Sequence, residues 1–192
     1  MQQEYQREPM LNDLCCLSVL GNVAYAIRCA RRIQPRFQVP LEVPHAAMMM
    51  AIVDSAIGWA EEYTHTGAGD VQRAEQLAAD TAGIANATCE QTDYAAFAAH
   101  HCVRAALLAA QASTQIDEGA FMEIVAGAFG SSRVLVAGVP SWFRILTLKS
   151  LHTDYQKLLE LAATTGTQRG PLVDATAAGP LGALWQGPTP SW

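Results

Sequence analysis

The stretch MLNDLCCLSVLGNVAYAIRCARRI, residues 10–33, decides the fold. Cys16, Leu20, Val23, Ile27 and Ala30 recur three or four positions apart. On a helix of 3.6 residues per turn that spacing lines one apolar stripe. The reading is a single helix over 10–33, with Gly21 and Asn22 as the place where it bends or divides. Pro35 ends it, and Phe37-Gln38-Val39-Pro40 reads as an extended connector, because a residue preceding proline is driven out of the helical region.

Working outward, a second helix is expected to begin near Val43 or Pro44, where proline is tolerated in the first turn. Met49, Ile52, Ala56, Trp59 and Tyr63 form its apolar side, and Gly67-Ala68-Gly69 ends it. Asp70 is placed to cap a third helix, with Val71, Ala74, Leu77, Ala78, Ile84 and Ala85 on one face, running to Gln91. Thr92 or Asp93 caps a fourth, to Ser113, whose apolar stripe is Tyr94, Phe97, Ala98, His101, Ala105 and Leu108. Asp117 caps a fifth, with Ile116 and Phe121 spaced as a hydrophobic staple. Residues 133–139 read equally as a short strand or as continued helix. A last helix over 141–164 carries Ile145, Leu148, Leu151, Tyr155, Leu158 and Leu159 as its apolar positions.

The composition changes at Gly166. Residues 166–192 hold five Gly and four Pro, and Gly-Pro-Leu occurs at 170–172 and again at 179–181. No helix survives that density of breakers. The expected architecture is all-α: a bundle of five or six mostly antiparallel helices over 1–165, followed by an extended Gly/Pro-rich tail over 166–192 packed on the body. Leu172, Leu181, Leu184, Trp185 and Trp192 give that tail more apolar surface than a disordered segment carries.

The chain has 192 residues and a net charge of −6. An acidic balance argues against a general binder of nucleic acid or anionic membrane, whose affinity comes from clustered Lys and Arg. Ten of the twelve basic residues are Arg, which forks onto carboxylates more readily than Lys does. The five cysteines, Cys15, Cys16, Cys29, Cys89 and Cys102, match no zinc or redox spacing and read as buried free thiols of a reducing compartment. Leu14–Ile27 imitates a secretory signal, but Glu4, Arg7, Glu8 and Asp13 precede it where a positive segment belongs. No stretch reads as long and pure enough to span a membrane, so a cytoplasmic protein is expected.

Candidate chemistry is sparse. Glu62-Tyr63-Thr64-His65 has the Glu-x-x-His spacing of di-metal bundles but occurs once, where such a site needs two. There is no Gly-x-Ser-x-Gly elbow, and Cys102 beside His101 is no catalytic pair, since helical neighbours diverge by about 100°. Neither Gly67-x-Gly69 nor the 127–130 glycines have the lysine or strand–helix setting of a phosphate loop. The clearest charge feature is Arg28, Arg31, Arg32 and Arg36. It reads first as cations at a helix C-terminus, stabilised by the dipole and partnered by the protein's own excess acids, and second as a grip on an acidic partner segment or a phosphate.

A histidine-based alternative resembles the DinB-like bundles, in which three histidines from different helices hold one metal. That resemblance implies His45, His101 and His152 as ligands, without the His-x-x-x-His pair expected on one helix. The Ala-rich helices followed by Gly179-Pro180-Leu181-Gly182-Ala183-Leu184-Trp185 look similar to bacterial proteins, and no activity comes with that likeness. The leading expectation is a non-enzymatic adaptor or scaffold with no cofactor. It would engage a protein partner or itself through Arg28, Arg31, Arg32, Arg36, Trp185 and Trp192. The alternative is a small helical-bundle enzyme or ligand binder.

Overall fold

The computed structural model describes residues 8–39, 42–87, 93–112 and 116–191. Within them the chain is helical, with no strand: α1 (Leu11–Leu14), α2 (Val19–Ile33), α3 (Ala46–Thr66), α4 (Val71–Ala87), α5 (Asp93–Gln111), α6 (Glu118–Gly138) and α7 (Arg144–Ala163). Two 3-10 turns, Gln34–Arg36 and Ser141–Phe143, follow α2 and precede α7. Seven packed helices stand where five or six were expected, because the segment 10–33 is not one helix.

The division falls at Cys15–Ser18, before Gly21. Ser18 takes an extended conformation and its hydroxyl accepts from the Gly21 amide, so Ser18 is the N-cap of α2. The next two amides, Val19 and Leu20, donate at 3.0 Å to the carbonyls of Gln168 and Arg169 in the C-terminal segment. These are amides that a helix start leaves without intrahelical partners. Asn22 does not bend the helix. Its buried side-chain amide donates to the carbonyls of Leu14, Leu17 and Ser18, which ties the α1 end to the α2 start.

Every residue of α2 except Arg31 is buried. A helix covered all round must be a core helix. It is packed by α3, α5, α6 and α7. α5 is the second hub, against α2, α3, α4 and α6, and its inward side is small: Ala95, Ala96, Ala98, Ala99, Ala105, Ala106 and Ala109 are buried. Small side chains let backbones approach. At Gly127 of α6 an added Cβ would stand 3.1 Å from Ala105 Cβ and 3.2 Å from the His101 carbonyl, so the α5–α6 seam is close there.

α3 begins at Ala46, two residues later than the proline rule suggests, because His45 adopts a left-handed conformation at φ 66°. Gly67, also left-handed, ends it with its amide on the Tyr63 carbonyl. Asp117 caps α6 through the Ala120 amide, as its sequence indicated. α6 continues through the two glycines and two serines, so the 133–139 stretch is helix to Gly138 and not strand. Thr92, the other candidate cap for α5, lies outside the described residues, as do Cys89 and Trp192.

The segment beyond α7 has no regular structure, yet Val173, Ala175, Leu181 and Trp185 are buried. Its amides and carbonyls meet the helices directly. Val173 donates to the Thr64 carbonyl at 2.8 Å, Gln186 to the Ser150 hydroxyl at 3.0 Å, and Lys157 reaches the Leu181 carbonyl at 2.7 Å.

Candidate functional site

Arg28 and Arg32 lie one turn apart on α2 and both are fully buried. Between them stands one carboxylate, Asp154 of α7, also fully buried. Its Oδ2 is 2.9 Å from Arg28 Nε and 2.6 Å from Arg32 Nη1. Asp154 occupies the Leu151–Leu158 side of α7, where apolar residues are otherwise required. Both contacts are at ion-pair distance. Asp154 Oδ1 and Arg32 Nη2 have no hydrogen-bond partner among the described residues.

The C-terminal segment supplies the remaining acceptors. Arg28 donates to the carbonyls of Ala175, Thr176, Gly182 and Ala183, at 3.3, 3.4, 2.9 and 2.7 Å. Arg32 Nε donates to the Leu184 carbonyl at 2.5 Å. Trp185 lies over the Arg32 guanidinium, 5.6 Å from it, and edge-on to Phe143 at 4.9 Å. The helix-end reading of this cluster is therefore corrected for Arg28 and Arg32: they are interior cations that clasp the chain's own terminus. Burial around the trio also pushes the Tyr25 hydroxyl and the Cys29 thiol well above their ordinary ranges, leaving both neutral.

Arg31, about 60° around α2 from Arg28, faces α3. It forks onto Glu61 at 2.8 and 2.5 Å and reaches Asp54 at 2.6 Å, with Gln34 bridging. Hydrogen bonds from Arg31 and Gln34 hold the Asp54 carboxyl below its usual range. Arg36 is half-buried and donates to the Gly138 carbonyl at the end of α6. The four arginines thus divide among three seams and form no shared surface.

The histidines do not meet. His45 is exposed at the start of α3, His101 is half-buried between α5 and α6, and His152 is half-buried on α7. Among the described residues no group of three or more His, Cys, Asp or Glu is placed to hold a metal ion. His101 sits over Gly130, where a Cβ would come within 2.8 Å of the ring, so glycine is what makes room for it. Burial, then His100 and Arg104, lowers its pKa. His100 Nδ1 lies 2.9 Å from the Ala78 carbonyl. With Arg104 and Glu123, the two rings line a shallow groove of about 370 Å³.

Three further sequence expectations are corrected. Ile145, counted on the apolar side of α7, is 77% exposed, and its neighbour Trp142 is 73% exposed. Cys16 is exposed and Cys15 partly so, whereas Cys29 and Cys102 are buried as expected. α6 is long and apolar enough to cross a membrane by length and composition, because small residues dilute Glu118, Glu123 and Arg133. Here it packs on α1, α2, α5 and α7.

No family model matches the chain, and neither do the curated proteins or the solved structures compared with it.

Asp154 was the residue sequence reading missed. Its signal was there: a carboxylate on the same helical side as Leu151 and Leu158 is costly in a core unless a cation meets it. Trp142 carried a weaker signal, lying beside Pro140 in a turn where no periodicity assigns a face.

Proposed function

We propose that this chain is a non-enzymatic helical interaction module of the cytoplasm, and that its docking surface is the corner where α6 meets α7. The observation that carries this reading is the exposure of Trp142 and Ile145, two large apolar side chains three positions apart at the start of α7. Tryptophan is enriched at the centres of protein interfaces, where a large rigid ring fills a partner's pocket. Arg144 and Lys149 are exposed beside them, and no carboxylate occurs between residues 134 and 153. In a protein of net charge −6 this corner is locally cationic and apolar. A protein segment that combines apolar side chains with carboxylates complements it.

A photo-crosslinking residue at position 145, in cells that make the protein, tests this. One discrete protein adduct is expected, lost on Trp142→Ser and absent when the crosslinker is placed at exposed Gln72 on α4. No adduct from position 145, or the same adducts from both positions, overturns the reading.

The His101 groove favours a second reading, a small-ligand binder, because its volume lies at the lower end of small-molecule pockets, about 300–1,000 Å³. Native mass spectrometry of the purified protein separates the two. A stoichiometric small molecule lost on His101→Ala supports the second and sinks the first.

A further inference from the structure

We infer that the partner met at the Trp142 corner is a second copy of this chain, docked head to tail through the first turns of its α6; this rests on the corner being the docking surface. Charge along the chain divides at α6. Residues 105–132 hold three carboxylates, Asp117, Glu118 and Glu123, and no Lys or Arg. Residues 134–153 hold Arg144 and Lys149 and no carboxylate. Glu118, Arg144 and Lys149 are exposed, and among the described residues none of the three forms an ion pair.

α6 runs for 21 residues, so at a rise of about 1.5 Å per residue its two ends stand about 30 Å apart. The acidic start and the cationic corner therefore cannot meet within one molecule. Two copies bring them together. Opposite charge steers such an encounter and fixes its register.

Spacing matches as well as charge. Trp142, Ile145 and Lys149 follow one another about a turn apart, and all are exposed. On α6, Glu118, Met122 and Ala126 follow at four-residue steps and are exposed too. Laid antiparallel, Lys149 meets Glu118, Ile145 meets Met122, and Trp142 meets Ala126. The small alanine leaves room for an indole. It also borders the groove of about 370 Å³ beside His101 and Gly127, which the ring enters as an anchor. Each copy keeps one corner or one α6 start unused, so the contact is heterologous and can propagate beyond a pair.

Sedimentation equilibrium of the full chain at low salt, taken up to about 1 mM, should show a mass that rises with concentration past the dimer and falls as salt is added. Trp142→Ser alone, and Glu118→Lys with Met122→Gln, should each stay monomeric while keeping the parent's circular dichroism. Mixed, these two variants should form a one-to-one dimer and stop, because one retains the α6 start and the other the corner. In the purified protein a photo-crosslinker at position 145 should join two chains, with the bond mapped to residues 118–126. A parent that stays monomeric, a mixture that stays monomeric, or crosslinks mapped to residues 142–149 of the second chain would each overturn head-to-tail pairing. The corner as a docking surface falls separately, on the adducts formed in cells from positions 145 and 72.

Discussion

Arg28 and Arg31 are three residues apart on the same helix, yet they belong to different kinds of seam. On the α7 side, Arg28 and Arg32, both with fully buried side chains, share a single carboxylate and lean on five carbonyls of the C-terminal segment. On the α3 side, Arg31 meets two carboxylates, and Asp54 is 62% exposed. A buried cation gives up its hydration and needs every acceptor it can find, whereas an exposed one exchanges water for a carboxylate at little net gain. The difference explains why an irregular, proline-rich segment is held in place: its backbone does for Arg28 and Arg32 what Glu61, Asp54 and Gln34 do for Arg31. Acidic side chains could not have done so without adding further buried charge.

The largest effect should come from removing residues 166–192. That deletes the acceptors of Arg28 and Arg32, the partners of the Val19 and Leu20 amides, and the buried side chains of Val173, Leu181 and Trp185. Burying each such side chain stabilises by roughly 1.5–3 kcal/mol before the cost of ordering the segment. The truncated chain should lose cooperative thermal melting and bind a hydrophobic dye. A truncated form that melts like the parent would erase the contrast between the two seams.

Next in size is Asp154→Asn, which leaves two buried guanidiniums without a counter-charge. Removing one partner of a buried ion pair costs about 3–5 kcal/mol. Chemical denaturation should show a loss of that order, little affected by salt because the site is dry. Arg31→Ala sharpens the comparison from the other side. An exposed pair contributes about 1 kcal/mol or less, and a double-mutant cycle with Asp54→Asn, whose carboxylate is 62% exposed, should give a coupling that shrinks as salt is added. Asp54 adds a pH signature. Its folded pKa is depressed, so its contribution is present above the ordinary carboxylate range and is lost as pH falls through the depressed value. Asp54→Asn should flatten that part of the acid limb.

How much of this was legible follows from where each partner sits. Helix existence came from local periodicity, and the Asp117 cap from a signal three residues long. The break at Ser18 was half legible: its hydroxyl cap on the Gly21 amide is local, whereas the carbonyls of Gln168 and Arg169 that meet the next two amides lie far along the chain. Likewise the four arginines look alike in sequence. Only Asp154 on a different helix decides which two turn inward, and periodicity within α2 carries no trace of it. Trp142 escaped notice and Ile145 was assigned to the apolar side because the apolar pattern of α7 cannot reveal that its first turn is exposed.

The smallest predicted effect is at His101. Its pKa is lowered by burial, so below the ordinary value of 6.5 the unfolded chain binds a proton that the folded chain resists. Stability should therefore decline as pH falls from that value to the lower folded one. Imidazole resonances should place the His101 midpoint below 6.5, and His101→Asn should remove the corresponding slope. A midpoint at or above 6.5 would mean that the ring is solvated and that the seam at Gly130 is open.

The central claim is that the C-terminal segment is an integral part of the folded body, clasped by α2. Native-state hydrogen exchange read at the amides of Val19, Leu20 and Val173 addresses it most directly, since each bond crosses between that segment and a helix. The account predicts that all three exchange only with global unfolding, at the same free energy as core amides of α2 and α5. Rapid exchange at these three amides while the interior of α2 stays protected would contradict it.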